Sequence, residues 1–207
     1  QNDKTLSLTD KKLSETPFIS SGIGGILHIA SSYSSRFDEV ILQLPKGRAL
    51  KGINISANRG QTSITNASLE NATLNTNSYI LRIKGSRIKN SKLTTPNIVN
   101  IFDTDLTDSQ LESTEHHFRA ENIKVYGKVE LSSKNALSIM LTQKESQEIN
   151  LDLSSHHGFI YQLLRDKSQQ KPNELSNPYK TEKTDVKGQL IAKADDYISL
   201  ETTANRP

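Results

Sequence analysis

Residues 64–76 read ITNASLENATLNT, residues 83–95 read IKGSRIKNSKLTT and residues 101–113 read IFDTDLTDSQLES. Aligned position by position, they place Ile64, Ile83 and Ile101 in one column. Leu69, Ile88 and Leu106 form a second, and Leu74, Leu93 and Leu111 a third. Small residues precede two of these columns: Ala67, Ser86 and Thr104, then Ala72, Ser91 and Ser109. Asn71, Asn90 and Asp108 share a position, as do Thr76, Thr95 and Ser113. Each apolar residue recurs after 18 or 19 positions (64 to 83, then 83 to 101). A fixed period of this length marks a repeat architecture, in which a unit too small for its own core buries its apolar positions against the next unit. Apolar residues five apart with small residues between them fit short strands joined by tight corners. Stacked Asn side chains suit the ~4.8 Å spacing of paired strands.

Working outward, Leu50 and Ile123 extend the middle column, Ile55 and Val129 the last, and Phe118 the first. The pattern predicts an all-β, single-stranded β-helix, or β-solenoid, with regular coils over 46–131 and about 18–19 residues per coil. Crossover sterics favour a right-handed winding. On this register Arg87 stacks on Asp105 and Glu70 on Lys89, so neighbouring coils oppose unlike charges.

Composition agrees. The chain has 207 residues, and 33% are apolar, against ~45–50% in ordinary globular chains. Trp is absent and aromatics are 5%. A core one side chain deep, repeated along an axis, needs less apolar material than a sphere. Lys and Arg number 26 against 23 Asp and Glu, a net +3. A nucleic-acid binder carries a larger, clustered surplus, so no nucleic-acid partner is expected. Cysteine is absent, which excludes disulfides and thiol chemistry. No run approaches the ~18 apolar residues of a membrane span. The expectation is an ectodomain, with any membrane anchor lying outside this stretch.

Residues 1–16 read as a flexible lead-in, and the solenoid domain as 17–205. Val40, Leu42 and Leu44 suggest a strand ended by Pro45. Beyond 131 the period is lost, and 132–164 read as capping strands. There Leu137, Ile139 and Leu141 alternate, as do Ile149, Leu151 and Leu153, with polar Thr142–Glu148 as the turn of a closing hairpin. Residues 165–187, with Pro172 and Pro178, read as a surface loop, and 188–201 as final strands.

Leu44-Pro45-Lys46-Gly47 closes a strand. Ala57-Asn58-Arg59-Gly60, Thr76-Asn77-Ser78-Tyr79, Thr95-Pro96-Asn97-Ile98 and Thr203-Ala204-Asn205 sit at turn positions. In these motifs residues 37–205 resemble the bacterial adhesin-like β-strand-repeat domain, a domain of unknown function found in envelope proteins of Gram-positive bacteria. The Gly-Asp pair of that pattern is mostly missing here. The resemblance implies a β-helical fold and an envelope location, and it supplies no catalytic residues.

Candidate chemistry is sparse. Imidazole is the commonest metal ligand, and His116-His117 and His156-His157 are adjacent pairs. Neighbouring strand residues point to opposite faces, so they read as exposed turn residues unless the two pairs meet. Asp103, Asp105 and Asp108 fail the calcium-loop pattern, because its glycine and terminal glutamate positions hold Asp108 and Thr114. Arg82, Lys84, Arg87, Lys89 and Lys92 form a basic coil, read as the counterpart of the acids at 103–115 rather than a polyanion site. Gly22-Ile23-Gly24-Gly25 lacks the rest of a dinucleotide fingerprint. Asn54, Asn66 and Asn71 begin glycosylation sequons, read as coincidences of an Asn-rich solenoid. No residue is assigned as catalytic or as a metal ligand, no cofactor is expected, and no binding residue is identified. The functional expectation is a non-enzymatic, adhesin-like interaction module at the cell surface, with an unknown protein or glycan as partner. The alternatives are a structural spacer of a membrane-anchored envelope-stress protein, or a polysaccharide-acting β-helix enzyme.

Overall fold

The computed structural model describes residues 61–162 and 172–203, together with the backbone of the strands Leu6–Ser7, Phe18–Ser21, Ile26–Ala30, Ile41–Leu42 and Gly52–Ser56 and of residues 163–164. The described residues are mostly β, in parallel curled sheets with a solenoid-like course. Three stacks of strands repeat. The first holds Gln61–Thr65, Ile80–Lys84, Ile98–Phe102, Phe118–Glu121 and Leu137–Thr142. The second holds Ser68–Glu70, Arg87–Lys89, Asp105–Thr107 and the start of Lys124–Ser133. The third holds Thr73–Thr76, Lys92–Thr95, Gln110–Ser113 and the end of Lys124–Ser133. Alternation buries every second residue, and these inward side chains form one continuous core.

The corners between stacks show why these residues were selected. Asn66, Gly85, Asp103 and Asn122 turn the chain from first to second stack, all with φ between 48° and 60°, as at 52° for Asn66 and 59° for Gly85. Asn71, Asn90, Asp108 and Gly127 turn it from second to third, with φ of 53°, 48°, 45° and 60°. Only Gly, Asn and Asp adopt this left-handed region at low cost. The sequence column of Asn71, Asn90 and Asp108 is thus a column of backbone geometry. At each corner the backbone N–H links to the next coil, as in Asn66 to Lys84 O (2.9 Å) and Asn90 to Thr107 O (3.0 Å). Gly85 also makes room for its neighbour: a Cβ there would lie 2.5 Å from Asn66 Oδ1. The buried hydroxyls of the small columns cap carbonyls, as Ser91 Oγ does for Lys89 O (2.7 Å) and Ser109 Oγ for Thr107 O (2.6 Å).

In the central three coils the expected columns are the observed ones, with Leu69, Ile88 and Leu106 stacked and Leu74, Leu93 and Leu111 stacked. The outer extensions differ by two residues. Val125, not Ile123, stacks on Leu106. Leu131, not Val129, stacks on Leu111. Ala120, not Phe118, stacks on Ile101, and Ile53, not Ile55, stacks on Leu74. A shift of two keeps every side chain on its own face, so apolar alternation cannot distinguish the two registers. Leu50 lies outside the described residues.

The end of the chain is not sequential. Leu137–Thr142 and Ile149–Ser155 do not pair as a hairpin; they belong to the first and third stacks. The last strands, Gly188–Ala194 and Ile198–Thr203, slot between rungs already laid down. The former lies between Lys124–Ser133 and Ile149–Ser155, the latter between Leu137–Thr142 and Ile160–Leu164. The stretch read as a surface loop contributes Asn173–Leu175 and Tyr179–Lys180, which pair antiparallel with the outermost strands. Thr142–Glu148, read as a turn, contains the helix Gln143–Gln147, and Thr142 Oγ1 accepts from Glu145 N–H (3.1 Å). Thr142-x-x-Glu145 is a helix-start signature that the alternating strands on either side had obscured. Within the expected lead-in, Leu6–Ser7 pairs antiparallel with Ile41–Leu42.

Two substitutions test this packing. Ile88 is 1% exposed, and Ile88→Asp places an unpaired carboxylate in the core at a cost of several kcal/mol, comparable to a whole domain's ~5–15 kcal/mol. Circular dichroism should show that variant unfolded, while Lys193→Ala on the surface stays native. At the second corner, Asn90→Val should lose about 1–2 kcal/mol and Asn90→Gly almost nothing. Equal denaturation midpoints for the two Asn90 variants would show that the corner geometry is not the constraint.

Candidate interaction surface

The third corner, where the chain leaves the third stack and re-enters the first, is built differently. Its turns hold residues 77–79, 96–97, 114–117, 134–136, 195–197 and 156–159 in spatial order. Serines at the strand ends anchor them: Ser113 Oγ donates to Asn97 O, Ser133 Oγ to His116 O and Ser155 Oγ to Asp196 O, each at 2.6 Å. Because the anchor is a side chain and not a fixed φ, turn length varies and the tips project.

Both histidine pairs lie here, on different rungs. His116-His117 and His156-His157 are separated by the turns at Lys134-Asn135 and Asp195-Asp196, three strand spacings or about 14 Å. They therefore do not share one ion. Among the described residues no group of three or more His, Asp or Glu is placed to hold a metal. His156 and His157 are exposed, with ring centroids 4.0 Å apart at 71°. Lys134 Nζ reaches Asp195 Oδ2 at 2.7 Å. The hydrogen bond from Lys134, then its charge, hold the Asp195 carboxyl below its usual range, and the two nearby histidines add to this. The Lys134 ammonium is raised in return.

The other sequence candidates occupy structural roles. Arg87 and Asp105 are register partners (Nε to Oδ2 3.7 Å), as are Lys89 and Glu70 (Nζ to Oε1 3.0 Å). Asp103 and Asp108 are left-handed corners, as are the sequon residues Asn66 and Asn71. Arg82 lies over the Phe102 ring, 5.4 Å from its centroid. Gly22–Gly25 lie outside the described residues, as does the Asn54 side chain.

What the sequence reading missed is aromatic. Phe159 is 52% exposed and Tyr197 46%, and they precede the register partners Ile160 and Ile198, so the two residues sit on adjacent rungs. The Phe159 ring also meets Tyr161 at 5.9 Å. Tyr79 projects from another turn of the same corner at 58%. The sequence signal is faint: each of these residues directly precedes a first-stack strand.

The profile of a known family, described as Toastrack DUF4097, matches residues 1–201. The chain belongs to the Toastrack family. This family is a domain of unknown function, and its solenoid-like fold agrees with the stacks described above. Neither the curated proteins nor the solved structures include a match to the chain. Among the described residues no helix is long and apolar enough to cross a membrane.

One further cluster supports this end of the Toastrack domain. Lys187, at the entry to the inserted strand Gly188–Ala194, bonds Glu145 (2.8 Å) and Glu148 (2.6 Å) and lies 5.2 Å from the Tyr126 ring centroid. Burial works against the Lys187 charge, but the two carboxylates outweigh it and raise the ammonium. The Lys187 hydrogen bond depresses Glu148. A depressed carboxyl stabilises above the unfolded pKa of ~4.3 and loses this as pH falls through the folded value. A raised ammonium stabilises below the unfolded ~10.4 and loses this as pH rises. Lys187→Met should therefore lower Tm by several degrees at neutral pH, with the difference shrinking toward pH 3 and above pH 11. Thermal scans across pH check this, and a constant difference would rule out the charge contribution.

Proposed function

We propose that this Toastrack domain is a non-enzymatic, adhesin-like interaction module at the outer cell surface or envelope. In this reading its strands wind as one right-handed, single-stranded helix of about 18–19 residues per coil, the hand that crossover sterics favour. The observation that carries the functional reading is the aromatic edge. Phe159 and Tyr197 stand about half exposed on adjacent rungs, on turns pinned to the stack. Large aromatic side chains left on a surface mark interaction sites, since each buries much area on contact at little rotamer cost. Extended solenoid faces suit such contacts.

The test uses labelled protein and envelope fragments from the producing cells. Phe159→Ser combined with Tyr197→Ser should reduce retention about ten-fold or more, the scale of losing one or two hot-spot residues. Thermal unfolding should be unchanged, because neither ring belongs to the core. Undiminished retention, or none in the parent protein, would replace this reading with that of a structural spacer carrying a neighbouring domain.

A further inference from the structure

A shallow trough of about 620 Å³ runs along the second corner, on a different side of the stack from the aromatic edge. Each rung contributes two side chains to it. One is a corner residue (Asn71, Asn90 or Asp108), and the other opens the third-stack strand (Thr73, Lys92 or Gln110). Lys128 and Glu130 close the fourth rung, with Glu130 in register with Gln110. The floor is the buried small column Ala72, Ser91 and Ser109, whose hydroxyls are already bonded to backbone. The trough thus exists because the corner demands small residues beneath it. Three rung spacings give it a length of about 14 Å.

The lining selects a ligand class. Lys92 and Lys128 balance Asp108 and Glu130, and Lys128 is paired with Glu130 at 2.6 Å. Asp108 Oδ1 is held by Lys128 N–H at 2.9 Å. A polyanion needs a surplus of positive charge that this balance lacks. A peptide needs a sheet edge or apolar pockets, and a compact apolar ligand needs an apolar lining. The side chains offered to solvent, Asn71, Asn90, Thr73 and Gln110, are each both donor and acceptor. They repeat once per rung, close to the length one pyranose adds to an extended chain.

The geometry points to a binding trough for an uncharged, extended oligosaccharide, laid along the stack axis with its hydroxyl edges on the paired polar columns. This goes beyond the aromatic-edge reading and uses a separate corner, so either can fail alone. The probes are cellohexaose and N-acetylchitohexaose, followed by side-chain amide NMR of the full chain. One of these should shift the Asn71, Asn90 and Gln110 signals, with affinity rising from the disaccharide to the tetrasaccharide and then levelling. The Lys92→Ala/Gln110→Ala variant should weaken binding about ten-fold or more, equivalent to the loss of one or two hydrogen bonds. Its Tm should match the parent's, while Phe159→Ser/Tyr197→Ser should bind as the parent does. The proposal is overturned if neither probe shifts these signals, or if shifts centre on the third corner. Response to oligogalacturonate alone, or equal affinity for disaccharide and hexasaccharide, would overturn it too.

Discussion

Everything in this domain depends on a short strand being able to turn sharply and come back in register one strand spacing higher. The residues that allow this have positive φ: Asn66, Gly85, Asp103 and Asn122 at one corner, and Asn71, Asn90, Asp108 and Gly127 at the next. Each holds a conformation that costs most L residues about 1–2 kcal/mol. Repeating it on every rung aligns the backbone N–H groups with carbonyls of the adjoining coil, and that alignment fixes which side chains face the core. The apolar columns follow from the corners. With only one inward layer per rung, a chain that is 33% apolar can still fill a continuous core.

A stack built this way has open edges, and exposed edges invite pairing with other chains. At the described C-terminal end the chain protects them by going back on itself. Ile149–Ser155 and Ile160–Leu164 leave a gap that Gly188–Ala194 and Ile198–Thr203 fill from both sides. The returning segment also lays Asn173–Leu175 and Tyr179–Lys180 against the outer edges. Asn177, Thr181 and Lys183 bond the backbone or side chains of Ser155, Leu151 and Asn150. These contacts make residues 172–187 part of the scaffold. They also explain the position of Lys187, which ties the entry of the inserted strand to the helix Gln143–Gln147.

The central three coils were legible because their corner chemistry and apolar columns coincide, and the unlike-charge pairs Arg87–Asp105 and Lys89–Glu70 followed from that register alone. Legibility ended where a coil changed length. Tyr126 to Glu130 spans one residue more than Thr107 to Gln110, and the turn at 114–117 is two longer than that at 96–97. Apolar alternation continues through both changes, so Ile123, Val129 and Phe118 kept their faces but not their partners. The insertion of the last two strands was illegible for another reason. Gln189–Ala192 and Tyr197–Glu201 look the same as strands whether they cap the stack or enter it, because both placements bury the same alternate residues. The aromatic edge was hidden because Phe159 sits within an apolar run that reads as strand.

The three corners differ in how much freedom they leave, and this bears on where binding can arise. The first two use a fixed φ and mostly two residues, so a change there alters the stack. The third is closed by hydroxyls such as Ser113, Ser133 and Ser155, which reach carbonyls across turns of two to four residues. Its tips can vary in length and chemistry without moving the core. That is where Tyr79, Phe159, Tyr197 and both histidine pairs are found. The second corner constrains its backbone but not the outward ends of its side chains, and a trough forms there because its floor must be small. Surface chemistry in this domain therefore collects at two kinds of place: turns the stack does not dictate, and side chains that project from corners it does.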